Sequence, residues 1–217
     1  MNRKAVNVIN WVLSLLLCSL GICLCTKANF GLSMISAPPY IIHCFMRDTF
    51  SWFTQGTSEY VWETVLLVIM CLIVRRFHPK FLLSFVTAVI MGFLIDFWFI
   101  PLGGNAVYES MAVRIITFII GAVIISLAIA FVFRTTLPPQ VYELIVCEIS
   151  DRFHIDQNKI KWSNDMIMLA LTVVLARVLN HSWTGIGVGT VIVTVVNAPM
   201  INIFGRIIDK VEKRAGK

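Results

Sequence analysis

SAPPYIIHCF, residues 36–45, stands where a second membrane crossing is due, yet it carries two adjacent prolines and a histidine. One hundred residues later LPPQVYELIV, residues 137–146, repeats the double proline, with a glutamate in place of the histidine. Proline removes a backbone donor and disfavours helix at the residue before it. Irregular backbone survives at membrane depth only where protein or a water-filled cavity surrounds it. Each double-proline piece is therefore read as a short re-entrant element, packed by neighbours or lining a cavity. Where proline opens a short helix its missing N–H costs nothing, and the N-terminal dipole then favours an anionic group.

The surroundings support a membrane setting. The chain is 58% hydrophobic and 14% charged, with mean hydropathy +0.84, against about 45–50% apolar and 25% charged for soluble domains. Six apolar runs have the length of a span, at roughly 7–26, 59–75, 81–100, 112–133, 163–180 and 184–204. A crossing needs about 20 residues, with about 17 as the short limit. The pieces at 33–46 and 137–147 are shorter. The first run follows a basic start but exceeds a signal-peptide core and lacks a small-residue cleavage site, so it is read as an uncleaved span.

Lysines and arginines set the orientation. With six crossings and the N-terminus inside, only Lys27, Arg47, Arg114 and Arg177 of the 18 basic residues fall on the outer side. Letting both short pieces cross moves Arg75, Arg76, Lys80 and Arg134 outward and brings only Arg47 and Arg114 in. Six spans with both termini cytoplasmic is the better account. The net charge of +6 is thus spent largely beside the spans, and no nucleic-acid partner is expected. The polar stretch 148–162 reads as a cytoplasmic surface helix or loop.

The order is span, short piece, span, span, given twice. Three crossings per half is odd, so the halves, 1–105 and 106–217 of a single membrane domain, are expected to form an inverted-topology repeat. Pro38 and Pro39 then match Pro138 and Pro139, and Asp96 stands opposite Asn202. The expected fold is an all-α polytopic membrane bundle of six transmembrane helices with two re-entrant pieces.

Ionisable groups inside spans usually face a cavity or a partner. His43 and Glu143 each lie four residues beyond the second proline of their pair. As symmetry mates they are expected to meet and to bind or relay protons. Asp96 and Asn202 are expected to contact substrate or hold the repeat interface. Asp96 and Arg114 flank the outer hairpin as an expected ion pair. Glu63 and Asp165 are read as reaching the headgroup region. Lys27 and Arg177 are read as snorkelling, and Asn10, Asn197 and Asn202 as interhelical glue. The glycines of TGIGVGT, 184–190, suit close helix packing. All six cysteines lie in or beside apolar segments without a CxxC, so neither a disulfide nor a metal is expected. No catalytic motif or cofactor fingerprint is found, and an enzyme is not expected.

GICLCTKANFGLSMISAPPYIIH, VRRFHPKFLLSFVTAVIMGFLID, FVFRTTLPPQVYELIVCEISDRF and GIGVGTVIVTVVNAPMI together resemble the bacterial YczE/YyaS/YitT-type integral membrane proteins across nearly the whole chain. The resemblance implies a bacterial cytoplasmic-membrane protein and brings no substrate, cofactor or catalytic residue. The functional expectation is a transporter of a small solute or ion, with His43 and Glu143 available for proton coupling. The alternative is an accessory protein that assembles with or assists a partner. The lipid bilayer is a partner in either case; the solute and the oligomeric state are not legible.

Overall fold

The computed structural model describes residues 3–215 apart from Asn105, Ser182 and Thr184, and describes their side chains except at Arg3, Lys80, Gln157, Asn158, Ala198 and residues 212–215. The described residues form helices and no strand, in the order α1 (Arg3–Ala28), α2 (Ala37–Met46), α3 (Gln55–Val74), α4 (Pro79–Phe99), α5 (Met111–Val132), α6 (Val141–Phe153), α7 (Gln157–Leu179) and α8 (Val188–Ala215). Helices α1, α3, α4, α5 and α7 are long and apolar enough to cross a membrane; α8 is a sixth when its two segments, bent by 42° beside Pro199, are taken as one span. The chain is an all-α, polytopic membrane protein. At a rise of about 1.5 Å per residue the short helices α2 and α6 are too short for a core about 30 Å thick.

The polar stretch 148–162 is divided. Helix α6 runs on through Phe153, His154 ends it in the left-handed region, and α7 begins at Gln157. The prolines also take different places. Pro38 and Pro39 occupy the first turn of α2, whereas Pro138 and Pro139 precede α6, whose N-cap is Gln140.

Two compact units form, and each draws helices from both halves of the sequence. Unit 1 comprises residues 1–32, 97–137 and 187–217; unit 2 comprises 33–96 and 138–186. In unit 1, α5 packs on α1 and α8. Gly21 and Gly121 bring the α1 and α5 backbones together, since a Cβ on Gly121 would stand 3.1 Å from the Gly21 carbonyl oxygen. Helix α1 ends at Asn29, in the left-handed conformation asparagine tolerates. Arg114 donates to the Ala28 and Asn29 carbonyls at 2.8 and 3.0 Å and lies over the Phe30 ring. Lys27 does not snorkel. It is buried, donates to the Gly104 carbonyl at 2.9 Å and lies over the Tyr108 ring, because the chain after α4 folds back over it. Ser126 of α5 donates to Asn197 of α8 at 2.8 Å, and the Gly189 N–H donates to the Phe30 carbonyl.

In unit 2, α2 and α6 each pack on α3 and α7. The core between them holds Trp62, Leu66, Met70, Tyr142, Ile145 and Met168. A hydroxyl on a span meets each double proline: Ser58 donates to the Pro39 carbonyl, and Thr87 donates to the Pro138 carbonyl at 3.3 Å. The irregular backbone is thus satisfied by neighbouring helices, as an apolar surrounding demands.

Candidate functional site

The polar feature of unit 2 is one face of α3. Gln55, Glu59 and Glu63 recur every four residues in QGTSEYVWE, so their side chains stack along one side of the helix. They are 1%, 2% and 2% exposed. Helix α3 packs on α2 and α6, and α6 meets this face at Glu63 through the Val141 N–H.

Glu63 has a defined task. Its Oε2 accepts the Val141 backbone N–H at 3.2 Å. Val141 is the first residue of α6, and the Gln140 side chain makes no capping bond. A helix leaves its first amides without internal partners, so Glu63 caps α6 from α3, at the positive end of its dipole. Glu143 lies in the first turn of the same helix, and Glu63 interacts electrostatically with both Glu59 and Glu143. Glu143 interacts in turn with Lys161 and Asp165 of α7. Asp165 accepts the Tyr142 hydroxyl and stands 3.7 Å from Lys161, whose ammonium lies over the Tyr142 ring. A line of acids therefore runs from Glu59 through Glu63 and Glu143 to a pair whose side chains are 46% and 28% exposed.

Three carboxyl oxygens on this line, Oε2 of Glu59, Oε1 of Glu63 and Oε2 of Glu143, are buried and accept no hydrogen bond among the described residues. Leaving such an acceptor unmatched costs about 1–3 kcal/mol each. A buried oxygen of this kind calls for a partner: a proton, an ion or a water. No group of three or more His, Cys, Asp or Glu is arranged to hold a metal ion among the described residues.

The residues expected from sequence fall in several places. Glu143 is on the line, but His43 is not its partner. The His43 Nδ1 lies 3.0 Å from the Phe53 carbonyl; because a carbonyl only accepts, that nitrogen carries the hydrogen. The pairing fails because the two helices start at different points relative to their prolines. The same offset therefore sets His43 late in α2 and Glu143 in the first turn of α6.

Asp96 and Arg114, expected as an ion pair, belong to different units, and each is engaged within its own. Asp96 accepts Thr54 Oγ1–H at 2.6 Å and the Gly56 N–H at 3.0 Å, capping α3 together with Thr54, whose oxygen accepts from the Thr57 N–H. Arg114 caps α1 as described above. Asn202 belongs to unit 1, where it lines a cavity of about 460 Å³ with Arg134, Arg206 and Asp209; Arg134 and Asp209 pair there through two bonds of 2.7 and 2.9 Å. Glu63, expected near the headgroups, is buried. Gln55 and Glu59 lie before and at the start of the run expected at 59–75, so the four-residue spacing that joins them to Glu63 crosses that boundary.

Comparison with known proteins gives the lineage. The chain is 26% identical over 201 residues to the uncharacterized protein YyaS of Bacillus subtilis (strain 168), covering 91% of this chain and 92% of that protein. No solved structure matches it. Residues 5–206 match the family of unknown function DUF6198, and the chain belongs to that family.

Proposed function

We propose that the chain is a transporter of a small solute or ion in the bacterial cytoplasmic membrane, with both termini cytoplasmic, and that Glu59, Glu63 and Glu143 carry the protons that drive it. The observation that carries this reading is the buried line of acids with unmatched carboxyl oxygens. Ionisable groups inside membrane helices mark ion pathways and proton relays. Here the line begins at a fully covered glutamate and ends at the partly exposed Asp165–Lys161 pair. A carboxyl that gains and loses a proton as the route fills and empties couples solute movement to proton movement.

The helix order supports an inverted repeat. Long, short, long, long occurs twice, as α1–α4 and α5–α8. Exchanging the halves turns the α2–α3 packing into α6–α7 and the α3–α6 packing into α7–α2, and all four pairs occur. Secondary transporters built this way place their sites at interrupted helices, and Glu143 lies in the first turn of one of the two short helices.

The test uses purified chain in liposomes with a pH-reporting dye inside. Gradients of single small solutes, beginning with alkali cations and primary amines, are imposed in turn. A solute that changes the lumen pH with wild type, but not with a folded Glu63→Gln chain, supports the proposal. Carbodiimide labelling of the three glutamates, mapped by mass spectrometry, supplies the opposite outcome. If no solute moves protons and labelling is the same at every pH, the acids do not exchange protons and the proposal fails.

A further inference from the structure

The far end of unit 2 carries a second candidate site, unrelated to the buried acids. Helices α3 and α6 both stop there in left-handed caps, Arg75 at φ 52° and His154 at φ 54°. Beside their ends lies an open-sided cavity of about 380 Å³, within the range of about 300–1,000 Å³ usual for small-ligand pockets. Val74 and the buried Phe81 contribute its apolar wall. Arg76 and His78 come from the turn between α3 and α4, and His78 rests edge-on against Phe81. Glu148, Asp151, Arg152 and His154 come from the last turns of α6 and its cap.

Both signs of charge line this cavity, yet they do not neutralise one another. Of the ion pairs Arg47–Asp48, Arg134–Asp209 and Lys161–Asp165, none is here. Glu148 and Arg152 stand four apart on α6 in the order that favours pairing, and still do not pair. The cavity therefore holds a cationic and an anionic arm apart. Two arginines offer the planar forks that match phosphate oxygens. Two helix C-termini add partial negative charge to Glu148 and Asp151 and suit an ammonium.

The position narrows the guest further. The cavity lies at the turn joining two spans, α3 and α4. Beside it Leu72 and Phe77 are 71% and 62% exposed, as side chains facing acyl chains are. We propose that this cavity binds a phosphate ester bearing a primary ammonium, the chemistry shared by a phosphatidylethanolamine headgroup and free phosphoethanolamine. The phosphate lies on Arg76 and Arg152, and the ammonium lies on Glu148 and Asp151.

The experiment is thermal unfolding of the full chain in detergent, titrated with phosphoethanolamine, inorganic phosphate, ethanolamine, dihexanoyl-phosphatidylethanolamine and dihexanoyl-phosphatidylglycerol. A ligand of the folded state raises the melting temperature in proportion to its occupancy. The expected result is a saturable rise with at least one amine-bearing phosphate ester, exceeding that with its amine-free counterpart. Arg76→Gln/Arg152→Gln abolishes the rise. Glu148→Gln/Asp151→Asn removes the preference for the amine. A response to the short-chain lipid alone identifies a headgroup site, one to phosphoethanolamine alone a solute site, and either supports the chemistry. The proposal is overturned if wild type does not distinguish the amine-bearing esters from the others, or if both variants respond as wild type does. If a double variant does not fold, native mass spectrometry of wild type and Arg152→Gln, comparing retained phosphatidylethanolamine with phosphatidylglycerol, decides the same question.

Discussion

Replacing Asp96 by alanine asks whether this carboxylate serves a solute or serves a helix. Both of its oxygens are committed, one to Thr54 Oγ1 at 2.6 Å and one to the Gly56 N–H at 3.0 Å. A hydrogen bond to a charged group contributes about 1.5–3 kcal/mol, and a lost N-cap costs about 0.5–2 kcal/mol. The two bonds share one carboxylate and one helix end, so their effects are not additive, and Asp96→Ala is expected to cost about 2–4 kcal/mol in total. For a chain of this size each kcal/mol lowers the melting temperature by about 2–4 °C, so a loss of about 5–15 °C is expected. Asp96→Asn keeps one acceptor oxygen and should lose about half as much. Thr54→Ala should lose little more once Asp96 is already alanine, because the two act on the same turn. The assay is thermal unfolding of detergent-solubilised chain followed by circular dichroism, run beside the liposome assay. If Asp96→Ala melts within about 1 °C of wild type while solute-driven proton movement disappears, Asp96 belongs to the transport site and its capping role is refuted.

Glu63→Leu strands the Val141 N–H at the start of α6 and should cost about 1–3 kcal/mol in a melting experiment, whereas Glu63→Gln keeps an acceptor there and should melt close to wild type. Gly56→Ala drives a methyl group into the Gly92 carbonyl and to 2.7 Å from the Asp96 carboxyl; overpacking of this kind costs about 1–3 kcal/mol or more, and a sharp fall in monodisperse protein on size exclusion is expected. Arg114→Ala removes two bonds to the end of α1 and the contact with Phe30, with an expected loss of about 1–3 kcal/mol. Arg114→Lys should restore only part of it, since an ammonium lacks the fork, and hydrogen exchange at residues 24–29 reports the fraying directly.

The spans were legible because their cause is local. A run of some twenty apolar residues requires a helix in lipid whatever surrounds it, and α1, α3, α4, α5 and α7 overlap the runs read from sequence. The double prolines were legible for the same reason, since each limits the backbone of its own neighbourhood. The line of acids was half legible. Gln55, Glu59 and Glu63 share a helix, so their spacing alone places them on one face, although it does not say whether that face meets lipid, water or protein.

Pairings across helices were another matter. Matching prolines suggested His43 with Glu143, yet the helices begin at different distances from those prolines, and a shift of one residue turns a side chain by about 100°. Asp96 and Arg114 carry opposite charges at consecutive span ends, but each lies beside a helix terminus with unmatched backbone groups and satisfies those within its own unit. Which helix Glu63 would cap, and that Glu143 would come beside it, depends on α6 packing against α3 across some eighty residues of chain. The sequence by itself determined that this protein crosses a membrane as helices and that the double prolines interrupt the pattern, because the cost of a bare backbone group in lipid is set residue by residue. Only the tertiary structure decided which buried charges meet, because that depends on the register and rotation of separate helices, which no local preference specifies.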